Sequence, residues 1–98
     1  MAEIRWTLQA ADDLESITEF ISQDSSQYAR LFALDVFAAV ERLLHFPELG
    51  RVVPEKESPH IRELIMGNYR IVYRLRNNLV ELLTIHHGSR LLDPSKLS

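Results

Sequence analysis

The chain has no cysteine, which excludes disulfides and thiolate metal sites. Its three glycines are too few and too scattered to build a phosphate-cradling loop. Ser25, Ser26, Ser58 and Ser89 sit in no Gly-x-Ser-x-Gly elbow, so a serine nucleophile has no support. No apolar run approaches the ~18 residues of a membrane span. Met1-Ala2-Glu3-Ile4-Arg5-Trp6 lacks the charged-then-apolar layout of a signal peptide, so the expectation is a cytoplasmic protein with no membrane partner. Positive charge is also short. Eleven Lys and Arg stand against fourteen Asp and Glu, a net −3. A protein held to nucleic acid mainly by phosphate neutralisation would be strongly basic.

What is present describes one small folded unit. Of 98 residues, 46% are apolar and 26% charged, the profile of a single globular domain over 1–98 with a thin core. Charge is divided unevenly along it. Residues 1–47 hold three basic and eight acidic groups, whereas residues 48–98 hold eight basic and six acidic groups, and six of those eight are arginines.

The first half reads as helical. Glu3 to Thr7 is a short β-prone opening with Ile4 and Trp6 on one face, and Thr7 is placed to cap a helix. Ala10, Leu14, Ile17 and Ile21 form one apolar face, with Asp12, Asp13, Glu15 and Glu19 on the wet side. Asp24 with Gln27 resembles a capping box for a second helix. The apolar stripe of that helix is Ala29, Phe32, Ala33, Val36, Val40, Leu43 and Leu44. Residues 47–60, with three prolines and Gly50, read as a long ordered loop with contacts of its own. Gly50 there is expected to support a turn with positive φ. Arg51 is expected to pin the loop to a helix acid or the sheet edge.

The last third switches to period two. Ile61–Met66, Tyr69–Arg76 and Leu79–His87 read as a meander, with turns at Gly67-Asn68 and Asn77-Asn78. Residues 88–98 form a polar tail. The order β-αα-βββ predicts an α+β fold: an antiparallel-dominated sheet with a helical hairpin packed on one face. The opening strand must join that sheet, or its backbone groups stay unpaired.

Two groups of residues could carry chemistry. Arg70, Arg74 and Arg76 share one side of a strand, and Arg62 lies on the strand paired with it. Tyr69 and Tyr73 alternate with these arginines and are expected in the core. Guanidinium forks suit phosphate or carboxylate, so this side is either a solvated face or a binding face for an acidic partner segment or nucleic acid. The second group is His86-His87-Gly88-Ser89-Arg90 at the end of the last strand. Adjacent strand residues face opposite ways, so the two imidazoles do not readily share a metal, and no metal site is expected. His87 is either a general acid or base or a hydrogen-bonded structural histidine.

Several segments, in order and over nearly the whole chain, resemble the RelE/ParE superfamily of type II toxin–antitoxin toxins. They are Trp6-Thr7 with Ala10, Ala11, Asp13 and Leu14; Pro47-Glu48-Leu49-Gly50-Arg51; Arg62-Glu63-Leu64; Asn68-Tyr69-Arg70-Ile71-Val72-Tyr73-Arg74; and His87-Gly88-Ser89-Arg90. The resemblance implies a compact toxin neutralised by a cognate antitoxin, with no cofactor and no small-molecule substrate. Partner contacts would fall on Arg62, Arg70, Arg74, Arg76 and Arg90, with Trp6, Gly50, Arg51, Tyr69 and Tyr73 structural.

The superfamily offers two activities: ParE-like inhibition of DNA gyrase, without catalysis, and RelE-like cleavage of mRNA on the ribosome. The RelE-like apparatus has lysines before the Tyr-Arg motif, an arginine after the last strand and a tyrosine near the C-terminus. The aligned positions here hold Ile61 and Glu63, Gly88 and Pro94. Only Arg70 matches, which favours the gyrase inhibitor. The alternative is a ribonuclease built instead on Arg70, His87 and Glu48.

Overall fold

The computed structural model describes residues 1–56 and 58–88. Strand β1 (Glu3–Trp6) leads to helices α1 (Leu8–Ser22) and α2 (Ser26–Arg42). A two-residue strand, β2 (Arg51–Val52), precedes the meander β3 (Ile61–Met66), β4 (Tyr69–Arg76) and β5 (Leu79–His87). The sheet order is β1-β5-β4-β3-β2. β1 joins it parallel to β5, and every other pairing is antiparallel. The expected α+β arrangement is therefore present, with one more strand than the sequence suggested. β2 lies inside the segment read as loop and pairs Arg51 with Glu63 and Val52 with Arg62.

Local chemistry sets the boundaries. The Thr7 hydroxyl accepts from the Ala10 N–H at 3.1 Å, capping α1 as expected. The second cap differs. Ser25, not Asp24, holds extended backbone and accepts from the Tyr28 N–H at 3.1 Å, so α2 begins one residue later than a box on Asp24 would place it. Asn77 and Asn78 both have positive φ (49° and 67°), the pattern of a type I′ hairpin, which Asn tolerates. Gly67 alone is positive in the other hairpin, at 59°.

The helices cover one face of the sheet. Ala10, Val36, Ala39, Val40 and Leu43 pack on Leu64, Ile71, Tyr73, Val80, Leu82 and Ile85. On the other face Val53, Ile61 and Val72 form a smaller core with Leu83 against them. Thus the segment after β2 folds back across the sheet and buries Val53. A bulge in β5 supports this second core. Val72 pairs with Thr84 but Tyr73 pairs with Leu82, leaving Leu83 as the extra residue.

Asp13 departs from its expected place on the wet side of α1. β1 pairs with β5 only as far as Leu82, so the N–H of Ile85 faces an open edge. The Asp13 carboxylate accepts from that N–H at 3.1 Å and from the Thr84 hydroxyl. The Thr7 hydroxyl donates to the Leu82 carbonyl at 2.7 Å. The start of α1 therefore seals a sheet edge that would otherwise present unpaired groups.

Candidate functional site

Arg70 occupies the outer face of β4, opposite Ile65 on β3 and His86 on β5. It is buried, and it is held by two carboxylates. Its Nη1 and Nη2 donate to the two oxygens of Glu55, each at 2.7 Å, a bidentate fork. Its Nε donates to Glu63 Oε1 at 2.6 Å. The other oxygen of Glu63 accepts from Arg51 Nε at 2.6 Å. The Glu63 side chain is fully buried, that of Glu55 is 13% exposed and that of Arg51 is 65% exposed. The cluster Arg51–Glu63–Arg70–Glu55 is thus neutral and graded from interior to solvent. The bond to Glu55 raises the Arg70 pKa, burial opposes this, and Glu63 adds to the rise, so the guanidinium stays charged.

A second construction fixes the start of the long loop. Tyr73 is fully buried on the helix side; its hydroxyl donates to the Pro47 carbonyl at 2.8 Å and accepts from the Gly50 N–H at 2.9 Å. Burial raises the Tyr73 pKa, and the Gly50 bond partly offsets this. Gly50 is needed here for close approach and not for backbone freedom, a correction to the expected positive-φ turn. Its φ is not among the positive values, and a Cβ would lie 2.7 Å from the Glu63 carbonyl oxygen and from Tyr73. Arg62 donates to the Gly50 carbonyl at 2.9 Å, the third tie on this turn.

The register also corrects the picture of one arginine face. Arg62 pairs with Tyr73, so it projects on the helix side, opposite to Arg70 and Arg74. Arg74 donates to Glu81 at 3.2 Å, and Glu81 is shared with Arg5. Arg76 is exposed near the Asn77-Asn78 turn. Arg90 and Ser89 lie outside the described residues. Of Arg62, Arg70, Arg74 and Arg76, then, one serves the loop, one is enclosed by carboxylates, one pairs across strands and one is exposed.

Beside Arg70 an open cleft of about 540 Å³ is lined by Arg51, Glu55, Ile65, Tyr69, Arg70 and His87, among others. His87 pairs with Tyr69 and stacks edge-on against it at 5.3 Å, while Tyr69 packs on Phe32 of α2 at 5.0 Å. His86 projects to the Arg70 side, and its buried Nε2 has no hydrogen-bond partner among the described residues. The cleft therefore brings together Arg70 and His87, but not Glu48. Glu48 lines a different depression with Pro47, His60, Arg62 and Arg76. Sequence reading missed Glu55, Glu63 and Asp13 as partners, since nothing in local spacing links them to Arg70 or Ile85.

The helices carry a separate feature. Trp6, Ala11, Leu14, Ala33 and Phe37 line an open groove of about 470 Å³ between α1 and α2, with Glu15 and Thr18 on it. Trp6 and Phe37 meet at 5.8 Å between ring centroids. Phe37 and Leu34 are each more than half exposed.

Comparison with known proteins follows the same lines. The profile of the ParE toxin of type II toxin-antitoxin system, parDE, matches residues 4–92. Toxin RelE2 of Caulobacter vibrioides is 35% identical over 92 residues, covering 93% of this chain and all of that protein. Among solved structures, a chain from the chromosomal ParDE system of P. aeruginosa superposes with a TM-score of 0.73 at 23% identity, over 89% of this chain and 96% of that one. A chain of the RelBE2 toxin-antitoxin complex from Mycobacterium tuberculosis gives 0.59 at 19% identity, over 88% and 96%. The two structural likenesses speak for the fold. With a family profile spanning nine-tenths of its length, the chain belongs to the ParE toxins of type II toxin–antitoxin systems, within the RelE/ParE superfamily.

Proposed function

We propose that this toxin acts in the ParE manner: it binds DNA gyrase and blocks its cycle without catalysing a reaction. The observation that supports this reading is the state of Arg70. It is the one position that matches the RelE-like cleavage set, and its fork is filled by Glu55 and Glu63. RNA cleavage needs a cation that holds the scissile phosphate with acid–base groups in reach, and a run of phosphates competes poorly for a carboxylate-filled fork on a chain of net charge −3. Purified toxin at micromolar excess should inhibit gyrase supercoiling, and unchanged supercoiling would reject the reading.

The partner-binding role extends to Arg62, Arg70, Arg74, Arg76 and Arg90, with an antitoxin as the neutralising partner. Its apolar anchors would fill the α1–α2 groove around Trp6 and Phe37, and burial there would supply most of the affinity. Co-expression with the product of the adjacent small gene should rescue growth, and Phe37→Asp should weaken the association.

A ribosome-dependent ribonuclease is the second reading. One observation favours it: Arg70 and His87 line the same cleft. Primer extension on translated message would then show cuts that Arg70→Ala with His87→Ala abolishes.

A further inference from the structure

We propose that Arg70 is an anion-binding site occupied by the chain's own Glu55, and that an acidic side chain of a partner protein displaces it. The inference rests on the partner-binding role given to Arg70 above and adds the competing internal ligand.

The geometry is that of a site with its ligand in place. Glu55 presents two oxygens to two guanidinium nitrogens at equal 2.7 Å distances, the arrangement a foreign carboxylate would adopt. The two carboxylates around Arg70 are held differently. Glu63 lies within the β3 ladder, fully buried, and its second oxygen is tied to Arg51. Glu55 lies in the segment between Val53 and Ile61, which the Val53 N–H to Ile61 carbonyl bond closes at its base. Moving Glu55 outward breaks no strand pairing, since β2 ends at Val52. Of the four charges named, those of Arg70, Arg51 and Glu63 then remain, one net positive charge beside the cleft.

That charge and shape select the occupant. One carboxylate restores neutrality. A nucleic-acid strand would bring a run of phosphates against a protein whose net charge is −3. The cleft walls beside the fork are Pro54, Ile65 and Tyr69, suited to an apolar neighbour of the incoming Asp or Glu. An internal carboxylate on a short tether competes at an effective concentration of roughly millimolar or above. Resting affinity for a foreign carboxylate is therefore low and rises when Glu55 is removed.

The test is an NMR titration of the full chain with N-acetyl-glutamate amide, following the backbone amide resonances of β3 and β4, in wild type and Glu55→Gln. The variant should bind about tenfold or more tightly, and Arg70→Lys added to it should remove the gain. Equal affinities in two folded proteins would overturn the proposal. So would inorganic phosphate binding the variant more tightly than the carboxylate. If Glu55→Gln does not fold, hydrogen exchange on wild type decides. Amides of Glu55, Lys56, Ser58 and His60 exchanging well before those of β3 and β4 support a displaceable Glu55; equal protection overturns it. None of these readouts involves gyrase or RNA, so the site can fail while the toxin reading stands, and the reverse.

Discussion

The helix-side face of the sheet and the face opposite are both buried, but by different means. On the helix side, twelve apolar side chains close over one another, and the single polar atom among them, the Tyr73 hydroxyl, is satisfied by backbone groups. On the outer face, among the described residues, Val53, Ile61, Val72 and Leu83 pack as a core, and the adjoining area is covered by the lattice Arg51–Glu63–Arg70–Glu55. The first face tolerates volume-conserving change, since hydrophobic burial has no direction. The second depends on the presence of each charge, because a buried ion left unpaired costs far more than the pair gains.

The sharpest way to break this comparison is Glu63→Gln. It removes the charge between Arg51 and Arg70 while keeping size, and should lower stability by about 3–5 kcal/mol. Ile71→Val, a loss of one methylene at an equally buried site on the helix side, should cost only about 0.5–1.5 kcal/mol. Urea unfolding of the two variants measures both, and equal losses would remove the distinction between the faces. Gly50→Ala comes next. The added methyl meets a backbone oxygen and the Tyr73 ring at 2.7 Å, so it should cost about 1–3 kcal/mol by overpacking. An alanine as stable as wild type would show that the Pro47–Gly50 turn is not held as described.

How much of this could be read in the sequence follows the same division. Period 3.6 in 8–22 and 26–42 and period two in 69–76 locate the elements that build the helix-side core, because each obeys a rule local to its own segment. The paired asparagines announce their turn for the same reason. The outer face follows no local rule. β2 is two residues long, too short to show alternation, and Val53 covers Val72 only because the chain between 47 and 60 doubles back. Glu55 and Glu63 reach Arg70 from 15 and 7 positions away, along different segments. Alternation on β4 correctly placed Arg70 and Arg74 on one side but could not say that carboxylates would meet them there. Asp13 looked like a wet-side helix acid because its partner, the open edge of β5, exists only because β1 ends at Trp6, opposite Leu82.

Tyr73→Phe sharpens the comparison from the helix side. It leaves the Gly50 N–H and Pro47 carbonyl without their partner and should cost about 1–3 kcal/mol. Its pH dependence has a definite sign. Burial raises the Tyr73 pKa, so the folded chain keeps the phenol proton where the unfolded chain loses it. That contribution is complete below the ordinary tyrosine value of about 10 and is lost as pH rises through the folded value. The stability difference between wild type and Tyr73→Phe should therefore shrink in alkali, and a constant difference would place the hydroxyl in water.

The smallest effect is expected where the outer face meets solvent. Glu81 accepts from Arg5 and Arg74, and its pKa is lowered, first by the Arg5 bond. A lowered carboxyl pKa stabilises the fold above the ordinary value of about 4.3 and ceases to do so as pH falls through the folded value. Arg5 is 61% exposed, so solvent screening limits its share and Arg5→Ala should cost less than about 1 kcal/mol near neutrality. The difference from wild type should fade toward acid pH and in about 1 M salt, where the Debye length is near 3 Å. The buried lattice around Glu63 should resist the same salt, since its charges are out of water. If salt weakened both alike, Arg70 would be solvated after all, and the division between a charge-locked interior and a screened rim would fail at its centre.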